Sequence, residues 1–142
     1  MSHEEASEVA SEFPSVISLV RSNHPLLVSH KNRLLQPFDD EIAPNGRRSC
    51  TLQDVSEILK FSKKAPDQIL VHCEYGQSRS TAVALGILAS RGYDLAYSYE
   101  ILLQEHAPYR PFTPNILVLS LFDKTLKLKG ELLRIGSSWC HY

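Results

Sequence analysis

The residues best placed to do chemistry lie in one short stretch, Val71 to Ser80, which holds Cys73, Gly76, Arg79 and Ser80. An apolar run ends there, a tight turn with one glycine follows, and a run of helix-forming residues begins. In open α/β sheets this is where ligands bind. Successive backbone N–H groups in such a loop converge, and the following helix adds its positive end, so the loop is built to hold an anion, phosphate first among them. Gly76 gives the backbone its freedom. Arg79 offers a planar fork that matches two phosphate oxygens. The same dipoles and charge favour the thiolate of Cys73. A free cysteine titrates at about 8.5, and one in such surroundings at about 3.5 to 7.5. Cys73 would then be a nucleophile at neutral pH, aimed at the phosphorus of an ester held by its own loop and forming a phosphocysteine.

Phosphoryl transfer needs positioning and charge stabilisation, which amides and Arg79 can supply without a metal. It also needs a proton for the departing oxygen. Asp39 and Asp40 lie upstream at the end of a candidate strand, in a segment that can swing over the site.

The elements that must position these groups follow from patterning. Residues 1–13 read as a polar, acidic arm, with Glu4, Glu5, Glu8 and Glu12 ahead of any Lys or Arg. Residues 14–142 read as one catalytic domain. Val16 to Val20 suits a strand, and Arg33 to Phe38 a second one. Asn23 to Lys31 reads as a loop, Pro44-Asn45-Gly46 as a turn. Thr51 and Asp54 have capping-box spacing before a helix that runs to about Lys63. Pro66-Asp67 breaks it. Ile69 to Val71 has no polar alternation, as expected of a strand buried on both faces. Ser80 to Ser90 is small or apolar all round and predicts a central helix ended by Gly92. Asp94 caps another helix to about Glu105, and Ile116, Leu119, Phe122 and Leu126 mark a last one. The order implies an α/β fold, with a mainly parallel central sheet flanked by helices.

Composition narrows the function. The 142 residues hold 15 Lys and Arg against 16 Asp and Glu, a net charge of -1. No general basic field is available for nucleic acid. No apolar run reaches the roughly 18 to 20 residues that span a bilayer, and the acidic start is the reverse of a targeting signal, so no membrane partner and a cytoplasmic location are expected. Three widely spaced cysteines exclude a disulfide framework and a CxxC site. No two histidines share an i, i+4 face, so neither metal nor cofactor is expected.

His72-Cys73 through Arg79-Ser80, with five residues between Cys and Arg, resembles the signature of cysteine-based protein phosphatases, the tyrosine and dual-specificity superfamily. The likeness to compact bacterial tyrosine-phosphatase-like proteins runs from about Pro14 to Leu128 and includes the aspartate pair and Thr113-Pro114-Asn115. The resemblance implies Cys73 as nucleophile, Arg79 as phosphate clamp and Ser80 as the hydroxyl that assists thiolate release. His72 would tune the cysteine from behind. The amides of Glu74, Tyr75, Gly76, Gln77, Ser78 and Arg79 would ring the phosphate. One aspartate, Asp40 in preference to Asp39, would be general acid and then general base. The substrate implied is a phosphorylated protein, on phosphotyrosine or also on phosphoserine and phosphothreonine, met in a shallow cleft. Glu74 is expected to point outward. His106, Tyr109 and Arg110 would lie in a loop near the cleft.

Plainer readings compete. Cysteine after an apolar strand is often core filling, and paired aspartates collect at turns. Cys50 and Cys140 read as structural, although Cys50 would protect Cys73 as a disulfide if the fold brought them close. Rival functions are a phosphate-binding interaction module without turnover, a phosphatase of non-protein esters, and sulfur or arsenate chemistry on a similar loop. A nucleotide-binding loop ending in Gly-Lys-Ser or Gly-Lys-Thr is absent.

Overall fold

The protein is described from a computed structural model covering residues 1–21, 30–42, 48–65, 68–106 and 108–140. The turn expected at Pro44-Asn45-Gly46, the break at Pro66-Asp67 and most of the loop from Asn23 to Lys31 lie outside the described residues.

Three strands, β1 (Ser15–Val20), β2 (Arg33–Pro37) and β3 (Ile69–His72), form a parallel sheet in the order β2-β1-β3. Among the described residues six α-helices accompany it: α1 (His3–Val9), α2 (Leu52–Lys64), α3 (Arg79–Ser90), α4 (Leu95–Glu105), α5 (Ile116–Leu126) and α6 (Glu131–Gly136). The expected strands and helices fall within a residue or two of these bounds, but α5 is not the last helix: α6 follows it, six residues that are too few to show a clear helical period.

Parallel pairing requires crossovers, and the crossovers supply the helices that cover the sheet. On one face Ile17 and Leu19 of β1 join Val55, Ile58, Val83, Leu85, Leu119, Phe122 and Leu132 in the main core. Each such fully buried side chain contributes about 1.5 to 3 kcal/mol of transfer free energy. On the other face Val16 and Leu70 pack on Ala6 and Ala10 in a second, smaller cluster.

That second cluster corrects the reading of residues 1–13 as a polar arm. Ser2 caps α1 in a full capping box with Glu5, a 3-10 turn continues it through Ala10–Glu12, and Ala6 and Ala10 are buried. Their small side chains give a weak apolar signal beside four glutamates, yet at i, i+4 spacing they make one flat face for the sheet.

A second correction concerns the strands. β1, not β3, is buried along its whole length. β3 stands at a sheet edge and alternates between half-buried and buried positions. Its apolar residues still meet neighbours on both faces, so patterning alone does not tell edge from centre. No described helix is long and apolar enough to cross a membrane.

Candidate active site

The loop from Cys73 to Ser78 leaves β3 and enters α3, and its shape follows from where its carbonyls go. The Glu74 carbonyl accepts from the His3 N–H at 3.2 Å, that of Gln77 from Thr113 N–H at 3.0 Å, and that of Ser78 from Asn115 N–H at 3.0 Å. Arg110 Nη1 approaches the Tyr75 carbonyl at 3.4 Å. The Glu74 and Tyr75 carbonyls are thus satisfied behind the loop, while those of Gln77 and Ser78 are held by residues next to the cleft. A trans peptide sets its C=O and N–H on opposite sides, and there is no cis bond among the described residues. The amides of Tyr75 and Gly76 therefore turn to the concave side. Gly76 shows it directly, donating to Cys73 Sγ at 3.3 Å. Gly76 sits at φ 72°, and a β-carbon there would lie 2.6 Å from Ser2 N and 2.7 Å from the Met1 carbonyl carbon.

Cys73 is buried. Burial pushes its thiol up, but the Ser80 hydroxyl at 3.2 Å and the Arg79 charge outweigh that and hold it below the ordinary thiol value. Arg79 is turned inward and only 4% exposed. Its Nη1 donates to the Phe38 carbonyl at 2.9 Å, while its buried Nε–H has no protein acceptor. An unpaired buried donor is costly, and the guanidinium charge acts on the Cys73 sulfur.

Phe38 ends the strand that leads to the aspartate pair. Asp40 lies at the rim of the cleft, where its Oδ1 accepts from Ser78 Oγ at 2.8 Å and Asn115 Nδ2 at 2.7 Å. Ser78 directs its hydroxyl to Asp40 instead of capping α3. Asn115 holds the segment twice over, donating also to the Glu41 carbonyl, while its own Oδ1 caps α5. Asp39 does not line the cleft, and its N–H donates to the Arg48 carbonyl at 2.6 Å.

Behind that segment stands buried Asp54. It receives Arg48 in a bidentate pair at 2.7 and 2.9 Å, Gln36 at 2.5 Å and the Thr51 N–H at 2.8 Å. The capping-box aspartate of α2 thus ties β2 to the chain that returns from the aspartates. Burial opposes its charge, but these partners hold its carboxyl below the usual range.

Glu74 points away from the cleft as expected, onto the Arg21 guanidinium. His72 joins Ser18 Oγ at 2.6 Å across the sheet, and burial pushes its imidazole down to about 4. It is neutral at pH 7 and adds no charge behind Cys73. All three cysteines are free. Burial, and next the Asp54 charge, push the Cys50 thiol up to about 12, a poor thiolate former.

The expected approach of His106, Tyr109 and Arg110 to the cleft is not seen. His106 and Arg110 line a separate hollow with Gly76 on the other side of the loop, and His106 Nε2 is bonded to the Pro111 carbonyl. Among the described residues no three His, Cys, Asp or Glu side chains converge as a metal ion requires.

The cleft itself has a volume of about 190 Å³, room for a phosphoryl group and part of what it is attached to, and Cys73, Ser78, Arg79 and Asp40 open into it. Ile42, Ile116 and Cys140 line the cleft unforeseen, and so in their roles here do Asn115, Ser78 as the partner of Asp40, and Trp139. Asn115 was visible as a helix-opening residue; nothing in the sequence brought Trp139 here.

No protein-family model matches the sequence, and a search of curated proteins finds no match. Solved structures do match. Human DUSP28 superposes with a TM-score of 0.64 at 18% identity, covering 92% of each chain. Tk-PTP in its active form gives 0.58 at 22%, over 89% of this chain and 88% of that one. A human tyrosine phosphatase-like serine/threonine/tyrosine-interacting protein gives 0.59 at 15%, over 90% and 88%. At such identities the likeness speaks for architecture alone, and the chain has the fold seen in these dual-specificity and tyrosine phosphatase structures.

Proposed function

We propose that this protein is a phosphomonoesterase that removes phosphate from phosphorylated proteins, phosphotyrosine first, through a phosphocysteine on Cys73. The observation that carries the reading is a buried Arg79 with an unpaired Nε–H, whose charge joins the Ser80 hydroxyl in favouring the Cys73 thiolate, on which the Gly76 N–H also closes.

The thiolate attacks phosphorus, the ester P–O bond breaks, and the departing oxygen takes a proton from Asp40. Arg79 and the amides hold the equatorial oxygens as charge builds on them. Water then attacks the phosphocysteine while Asp40, now a carboxylate, takes its proton. The S–P bond breaks, and the Ser80 hydroxyl donates to the returning thiolate.

The test is hydrolysis of an aryl phosphate in the presence of chelator. Cys73→Ser abolishes turnover and retains phosphate binding, and a rapidly quenched wild-type reaction carries one phosphoryl group on the Cys73 peptide. Undiminished activity of Cys73→Ser excludes the mechanism. Asp40→Asn slows alkyl esters far more than activated phenols, because only the former need the proton, whereas Asp39→Asn leaves that ratio alone. Tight phosphopeptide binding without turnover would favour an interaction module instead.

A further inference from the structure

Resting on that reading, we propose that Trp139 is a specificity-determining wall of the cleft and that the leaving group it selects is a flat aryl ring. The indole belongs to the segment that follows α6, far in sequence from the nucleophile, yet it lines the same cleft as Cys73 and Asp40.

Its position is built by close packing. Gly136 at the end of α6 lies so near α5 that a β-carbon there would meet Leu119 Cδ1 at 2.7 Å. The Asp123 carboxylate accepts from the Gly130 and Leu132 N–H groups, both at 2.8 Å, and fixes the start of α6. Beyond the helix, Cys140 N–H donates back to the Ser137 carbonyl at 2.9 Å. Trp139 Nε1–H then donates to the Pro114 carbonyl at 3.2 Å. The one polar atom of the indole is satisfied, and what it offers the cleft is apolar ring surface, already ordered before a ligand arrives. Pro114 immediately precedes Asn115, the residue that holds Asp40. The indole thus sits on the side from which the leaving group departs.

The remaining walls agree in character. Tyr75 and Ile42 are 63% and 65% exposed, and Ile116, two residues after the indole's anchor, lines the cleft with them. Among the described lining residues Arg79 is the only Lys or Arg, and Asp40 sets a carboxylate at the rim. A second phosphate on the leaving group would find no cation besides Arg79 among those described residues. An uncharged aromatic ring would find surfaces suited to stacking.

Tryptophan occurs once in the chain, so emission excited at the red edge of indole absorption, where tyrosine does not absorb, reports on Trp139 alone. In the Cys73→Ser protein, phenyl phosphate should shift or quench that emission, while inorganic phosphate, bound at the loop, should not. In the catalytically intact chain, Trp139→Ala should lower the ratio of kcat/KM for phenyl phosphate over that for an alkyl phosphate roughly three- to tenfold through KM. Trp139→Phe, which keeps a flat ring, should restore most of the ratio. Emission unmoved by phenyl phosphate, or a Trp139→Ala ratio equal to the original with both esters still hydrolysed, overturns this inference and leaves the phosphatase reading standing. Failure of the intact chain to hydrolyse either ester overturns both.

Discussion

The two sides of the Cys73 loop are built on opposite principles. Behind it, the backbone groups are paired, although two buried ring nitrogens, His3 Nδ1 and His72 Nδ1, have no partner. Cys73 N–H donates to the Met1 carbonyl, His3 N–H to that of Glu74, Ser2 pairs with Tyr75 as an isolated bridge, and Arg110 joins Glu5 and the Tyr75 carbonyl. On the cleft side Arg79 keeps an unpaired donor, the Gly76 N–H meets the sulfur, and Asp40 is exposed at the rim. On the proposed function, the closed side holds the open side in a shape that suits a phosphate ester. Preorganisation of this kind is what charge stabilisation in a transition state needs.

The largest effect should come from breaking both sides together. In Gly76→Ala the new β-carbon would lie 2.6 Å from Ser2 N, a backbone atom, at a φ that side-chain-bearing residues resist. Overpacking costs about 1 to 3 kcal/mol and the left-handed backbone about 1 to 2 kcal/mol more. The loop must move to relieve this, and with it the amide that reaches Sγ. Thermal unfolding should show the loss of stability, and kcat/KM should fall by more than the unfolded fraction explains. Equal falls would mean that the back of the loop supports the fold and does nothing for the cleft.

A smaller effect is expected from within the cleft. Ser80→Ala removes the hydroxyl that helps hold the Cys73 thiol low. The thiolate is the reactive form, so activity rises as pH passes upward through the thiol's titration. Losing Ser80 moves that titration up, and the acidic limb of kcat/KM moves to higher pH with it. Below the limb the variant loses about tenfold for each unit of displacement, and above it recovers, apart from slower release of the thiolate from the phosphocysteine. A profile with an unmoved limb would assign the low thiol to Arg79 and the amides alone.

What could be read in advance follows the same division. The loop is contiguous chain, so its residue types and spacing already state its chemistry, and the caps at Thr51 and Asp94 are equally local. The back of the loop is made from both ends of the domain. The cue for α1 was present, since Ser2 and Glu5 have capping-box spacing, but the burial of Ala6 and Ala10 depends on a sheet face that only the fold creates. Arg110 reads as a cation near a cleft and turns out to lie across the loop from it, against Glu5. The choice between Asp39 and Asp40 rests on Ser78 and Asn115, distant in sequence from the pair, and adjacent aspartates look alike until those partners arrive. Trp139 is the extreme case, an aromatic residue near the end of the chain whose location depends on how closely Gly136 lets α6 approach α5.

The gentlest test takes one contact from the closed side. Arg110 bridges Glu5 and the Tyr75 carbonyl, with side-chain exposures of 24% for Arg110 and 41% for Glu5. A pair so accessible to water is worth less than about 1 kcal/mol, and the loop keeps its bonds to Met1 and His3 if it is lost. Arg110→Ala and Glu5→Gln should each lower the melting temperature slightly, and the double variant should lose less than the sum, as expected of partners in one contact. With several contacts sharing the load, kcat/KM should change by less than about twofold for a coupling of this size. A large fall in kcat/KM with unchanged melting would mean that the two sides are coupled through Tyr75, whose carbonyl faces the brace while its peptide partner, the Gly76 N–H, faces the sulfur.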